Sequence, residues 1–180
     1  MDLGKYDEAQ RYLKKAIKHD PKNLQYRLDV GLTLIRAGDE SKADKHLRDL
    51  IAENKANVQR VKLISDYFLS RSLTDYGILT LTESRTALGS PSLFCLDLAM
   101  LYRVKGNQDK MVQEYLSYVT QSAANIQYVK NVLQTLLTKQ EELESLEKHL
   151  YDKVQQYPDV EVYADLLIWV TLQQKNFYAS

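Results

Sequence analysis

The stretch Val30-Gly31-Leu32-Thr33-Leu34-Ile35-Arg36-Ala37-Gly38-Asp39-Glu40-Ser41-Lys42-Ala43-Asp44-Lys45-His46-Leu47-Arg48-Asp49-Leu50-Ile51 decides the fold. Val30, Leu34 and Ala37 recur at helical spacing, as do Ala43, Leu47, Leu50 and Ile51, so the segment predicts two amphipathic helices. Gly38 falls between them, where a glycine can take the left-handed conformation that closes a helix C-terminus. Asp39 follows, with a side chain suited to the unpaired amides that open the next helix.

The same pattern returns every 34 residues, and a repeat found at a fixed period takes precedence over local readings. Steps of 34 from Ala9 give Ala43, Gly77, Met111, Ser145 and Ala179, a column small at all but one member. A turn column reads Gly4, Gly38, Ser72, Gly106, Gln140. Large apolar residues fill Val30, Ile64, Leu98, Val132, Leu166 and also Leu34, Phe68, Tyr102, Leu136, Val170, while Gly31, Ser65, Ala99, Leu133, Leu167 start small and grow. Pro21, Pro91 and Pro158 stand near unit ends, where a residue without an amide proton stops one helix or opens the next. Thr74, Asn107 and the pair Glu141 and Glu142 are placed, like Asp39, to start second helices.

Composition agrees with this reading. Of 180 residues, 44% are hydrophobic and 27% charged, enough apolar material to fold, and 6 Gly with 3 Pro are too few for the turns of an all-β chain. Lys plus Arg (24) balances Asp plus Glu (24), so no global field draws in nucleic acid or an acidic membrane surface. One Cys forms no internal disulfide. The first residues show no signal-peptide pattern, and the longest apolar run, Leu166 to Val170 with Leu172 beyond, falls far short of the ~20 residues that cross a bilayer. The expectation is a soluble chain without membrane insertion, its compartment unspecified.

Gly4-Lys5-Tyr6-Asp7-Glu8-Ala9, followed by Tyr12-Leu13, Ala16-Ile17 and Asp20-Pro21, resembles the second helix of the tetratricopeptide repeat family, and Val30-Gly31, Leu34 and Gly38 resemble its first helix. The resemblance is strong to about residue 57, moderate to 125 and weaker beyond; pentatricopeptide-type repeats are the nearest alternative. It implies an all-α, right-handed α-solenoid of antiparallel helix pairs with a 34-residue repeat and about ten helices. The expected array runs over 1–180 as a second helix at 4–23, units 24–57, 58–91, 92–125 and 126–159, and the first helix of a last unit at 160–180. A capping helix is not evident at either end, so the sequence reads as a piece of a longer array, its last helix leaving Leu166, Leu167, Trp169 and Val170 partly uncovered and open to self-association. Met111 and Tyr118, at positions where the family is small, are expected to force their helices apart or rotate them.

Catalytic or metal-binding constellations are not evident. His19, His46 and His149 lack a second His or Cys three to five residues away, and they read as solvated helix residues. Cys95 shares a column with Arg27, Val61, Val129 and Tyr163 and reads as a small buried hydrophobe. The acidic group Glu141, Glu142, Glu144, Glu147 opens a helix, where the macrodipole favours it. The basic concentrations Lys14, Lys15, Lys18, His19, Lys22 and Lys42, Lys45, His46, Arg48 are interleaved with acids and read as a solvated face. No cofactor is expected.

The resemblance directs attention to the first helices, which in the family line a concave groove. The matching positions are Leu28, Lys62, Leu96, Lys130; Leu32, Asp66, Met100, Gln134; Ile35, Leu69, Arg103, Leu137; and Arg36, Ser70, Val104, Thr138. A carboxylate clamp of paired Lys and Asn is disfavoured, because Lys62 is accompanied by Leu63 and Asp66, and Lys130 by Asn131 and Gln134. The apolar members suggest a partner segment with apolar anchors, its acidic residues near Lys62 and Arg103. The expected function is a non-enzymatic protein-interaction scaffold. The alternatives are the repeat region of a larger regulatory or catalytic protein whose activity lies outside these residues, and an RNA-binding helical repeat.

Overall fold

The computed structural model describes residues 3–179, with side chains from Lys5 to Lys175. Among the described residues the chain has ten α-helices, a short 3₁₀ turn at Ala123–Asn125, and no strand. The helices are α1 (Leu3–His19), α2 (Leu24–Ala37), α3 (Glu40–Asn54), α4 (Val58–Leu69), α5 (Thr74–Leu88), α6 (Cys95–Val104), α7 (Gln108–Val119), α8 (Ile126–Leu136), α9 (Gln140–Gln156) and α10 (Glu161–Ala179). They gather into two compact units, residues 1–90 and 91–180. The small-site expectation at Ala179, like the terminal Phe177-Tyr178-Ala179-Ser180, lies outside the described side chains.

In the first unit α2 packs along α1 and α3, and α4 along α5. Leu28, Leu47, Leu50, Ile51, Ile64 and Phe68 form its buried cluster, with Leu32 and Ile35 packed half-buried against it. Gly31 explains how α2 and α3 come so close: a Cβ there would stand 2.7 Å from Leu47 Cγ, a distance real side chains do not tolerate. Ala43 and Gly77, of the small column, are likewise buried.

Three turns of this column share one geometry. Gly38, Ser72 and Gly106 have φ of 84°, 59° and 69°, all left-handed. Each donates its amide three residues back, to Ile35, Leu69 and Arg103, and the following residue donates five back, to Leu34, Phe68 and Tyr102. Such paired bonds satisfy carbonyls left open at a helix end and turn the chain sharply. Gly4 departs from this column, for it lies in the first turn of α1. Gln140 departs too: α8 ends with Leu137 in an extended conformation and Gln140 begins α9.

The consequence appears in the second unit, where α6 packs along α7 but α9 packs along α10 and not along α8. Met111 therefore does not part its helices as expected. It is buried where α6 and α7 meet closely, and α6 supplies the wholly buried small residue Ala99. Separation occurs instead at α8 and α9, where the left-handed turn is missing and the growing column has reached Leu133. Of the α10 face expected to be partly uncovered, Leu166 and Val170 are 0% exposed, which corrects the expectation there, whereas Leu167 and Trp169 are half-buried; Ile168 and Leu172 stand exposed beside them.

Helix starts follow local chemistry. Asn107 Oδ1 accepts from the Lys110 amide at 3.1 Å, and Glu142 Oε2 accepts from the Thr138 and Lys139 amides at 2.8 and 3.0 Å. Asp39 makes no side-chain cap bond and instead accepts from Lys42 Nζ at 3.1 Å, while Thr74 is the first residue of α5 and Leu73 holds the cap position. Two caps were unforeseen although they share one column: Asn23 Oδ1 accepts from the Tyr26 amide and Asn57 Oδ1 from the Arg60 amide, at 3.2 and 3.0 Å.

Candidate protein-interaction surface

The thirteen groove candidates divide between the units and differ in exposure. In the first unit Arg36, Lys62 and Asp66 are exposed, and Leu32, Ile35 and Leu69 are half-buried. Leu28 is 2% exposed and belongs to the core, which corrects the expectation there, because the helix turns this position toward α3 and the buried cluster. Beside Lys62 and Asp66 stands Leu63, 61% exposed, which the sequence pattern did not single out.

A polar network fixes this side of α2 and α4. Tyr67 Oη donates to Asp29 Oδ1 at 2.6 Å, and Gln25 Nε2 donates to the same oxygen at 3.1 Å. The Arg71 guanidinium lies over the Tyr67 ring, 3.5 Å from its centroid, and donates to Ser70 Oγ at 2.9 Å. Burial pushes the Tyr67 phenol above its ordinary range, and the bond to Asp29 pushes it further the same way.

In the second unit Met100, Arg103 and Val104 are exposed on one side of α6, at i, i+3 and i+4. Met100 is 54% and Val104 58% exposed, an apolar pair one turn apart with a cation beside it. Arg103 also lines a recess of about 140 Å³ with Gly106, Gln108, Met111 and Leu136. Gln134 is exposed, while Leu96 and Lys130 are half-buried. Leu137 is 4% exposed, so it is a core residue and not a surface anchor; the extended backbone at the end of α8 turns it inward.

Residues read as inert lie as follows. Cys95 is buried and its thiol donates to the Ser92 carbonyl at 3.0 Å. His46 and His149 are not simply solvated: each ring meets a backbone carbonyl, Arg27 O at 2.7 Å and Ser145 O at 2.8 Å. Lys42 and Arg48 of the basic concentration pair with Asp39 and Asp44 on their own helix or its cap.

The tetratricopeptide repeat family matches residues 1–64. Repeats of this family generally mediate protein–protein interaction and are typically non-enzymatic. Among curated proteins none matches the chain. Two solved structures of MamA are similar to it: one at 16% identity and a TM-score of 0.41, covering 98% of this chain and 92% of that one; the other at 19% identity and 0.44, covering 86% and 87%. No helix among the described residues is long and apolar enough to cross a membrane. The tetratricopeptide repeat match covers α1, α2, α3 and the first part of α4.

Proposed function

We propose that the chain is a non-enzymatic scaffold that holds a short segment of a partner protein against the exposed side of its first helices. The observation that carries this reading is the stripe on α6, where Met100 and Val104 leave apolar area in water beside Arg103 and its recess. Exposed apolar pairs flanked by a cation suit a segment with apolar anchors spaced by about one helical turn or two strand residues and an acidic residue alongside. In the first unit Leu63, Lys62 and Asp66 repeat the combination of apolar surface with charge. Leu28 and Leu137 contribute packing beneath these surfaces and no contact.

The test is selection of peptides from a random displayed library by the intact chain, followed by affinity measurement on wild type and a Met100→Glu/Val104→Glu variant of unchanged circular dichroism. Enriched peptides carry two apolar residues and an acidic one, and the variant binds them at least tenfold more weakly. Equal binding by both proteins refutes the placement on α6.

A further inference from the structure

The first unit holds a second surface, on second helices, which the proposed function does not use. A cavity of about 470 Å³ opens between α3 and α5, bordered by Asp44, Arg48, Asp75, Tyr76 and Leu79. Directly beyond it lies another of about 260 Å³, bordered by Arg48, Asp49, Ile51, Ala52 and Glu83. The two share Arg48 and Leu79, so they form one trough that follows α3 from Asp44 to Ala52. A helix rises about 1.5 Å per residue, which makes the trough long enough for two turns of a helix or four extended residues.

Its floor is apolar: Ile51 is 1% exposed, and Ile78 and Leu79 are half-buried. Its walls are acidic. Asp44, Asp49, Asp75 and Glu83 line the trough with the guanidinium of Arg48, and the ammonium of Lys55 lies near Glu83 alone, so carboxylates outnumber cations. Arg48 Nε donates to both Asp44 oxygens, at 2.9 and 2.8 Å, and Tyr76 Oη donates to Asp44 Oδ1 at 3.0 Å. The Arg48 bond holds the Asp44 carboxyl below its ordinary range. Lys55 reaches Glu83 only at 3.8 Å, too far for a hydrogen bond.

We infer that the trough between α3 and α5 docks a basic amphipathic segment of a partner protein, its apolar side chains on Leu79 and Ile78 and its Lys or Arg residues against Asp49, Asp75 and Glu83. Charge complementarity selects this occupant. An acidic segment or a nucleic-acid backbone meets like charge on both walls, while a neutral apolar segment leaves the carboxylates without gain. The inference is independent of the surface on α6, which lies in the other unit and carries a cation.

Fluorescence anisotropy on the full chain tests it with three labelled decapeptides: an amphipathic one of Leu, Ala and Arg, its Glu-for-Arg counterpart, and one of Arg and Ser alone. The first binds at least tenfold more tightly than the other two, and its affinity falls with added salt. Asp49→Lys/Glu83→Lys weakens it at least tenfold. Glu141→Lys/Glu144→Lys, which changes net charge equally in the second unit, leaves it unchanged, as does Met100→Glu/Val104→Glu. Equal binding of the three peptides overturns the inference, and so does equal weakening by the Glu141/Glu144 variant, which would assign the attraction to net charge.

Discussion

Tyr67 and Asp29, thirty-eight residues apart in sequence, are joined by a 2.6 Å hydrogen bond that ties α4 to α2. The acceptor keeps a second donor, Gln25 Nε2, so removing the phenol leaves Asp29 partly satisfied. Tyr67→Phe therefore costs about 1–2 kcal/mol, the range for a bond to a charged acceptor discounted for the surviving partner. Urea denaturation of Tyr67→Phe, Asp29→Ala and the double variant reads the coupling; additive losses contradict a direct bond.

Alkaline pH acts on the same residue and on three others. Burial, as the largest cause, raises the phenols of Tyr67, Tyr76, Tyr115 and Tyr163 above their ordinary value. Unfolded, they ionise near pH 10, whereas the folded chain holds the protons to higher pH. Unfolding then releases protons, so stability is fully present below about pH 10 and falls as pH rises beyond it. Denaturation midpoints measured from pH 8 to 11 show a plateau followed by a fall; a flat profile contradicts the burial of these hydroxyls.

Ser72 occupies the left-handed position that Gly38 and Gly106 hold in the neighbouring turns. A residue with a Cβ pays about 1 kcal/mol there, so Ser72→Gly raises stability by about that amount. Gly38→Ala loses a similar amount, and because nothing lies within 4 Å of its missing Cβ, the loss is conformational and not steric. Thermal melts of the two variants should move in opposite directions.

Ser84 Oγ is buried without a hydrogen-bond partner. Ser84→Ala removes a desolvated hydroxyl and leaves the chain as stable or up to about 1 kcal/mol more stable. A loss above that size would show that the hydroxyl is satisfied in solution.

Much of the fold was legible because the 34-residue columns encode local chemistry: the turn residues Gly38, Ser72 and Gly106 share a conformation, and Ala43 and Gly77 are buried. The column of Asn23 and Asn57 was equally readable as a pair of caps, since Asn before an apolar helix offers its carbonyl to the third amide. What periodicity does not encode is which face a neighbour covers. Leu28 and Leu137 occupy positions equivalent to surface residues yet turn into the core, while Leu63 and Val104 stand out in water. The break between α8 and α9 follows from Gln140 where a glycine would make the turn, a departure visible in the column but with no steric sign of where α9 would pack instead.

The helix pairs depend on close crossings at small residues, and Gly31 against Leu47 is the tightest described. Gly31→Ala, although it favours helix by about 1 kcal/mol, destabilises by about 1–3 kcal/mol through overpacking, and Gly77→Leu does the same in α5. The most direct measurement is a nuclear Overhauser spectrum of the methyl-labelled chain: strong cross-peaks between the Gly31 α-protons and the Leu47 methyls are expected, and their absence, with a solvent-exposed Gly31 α-carbon, would contradict the stacked-pair architecture.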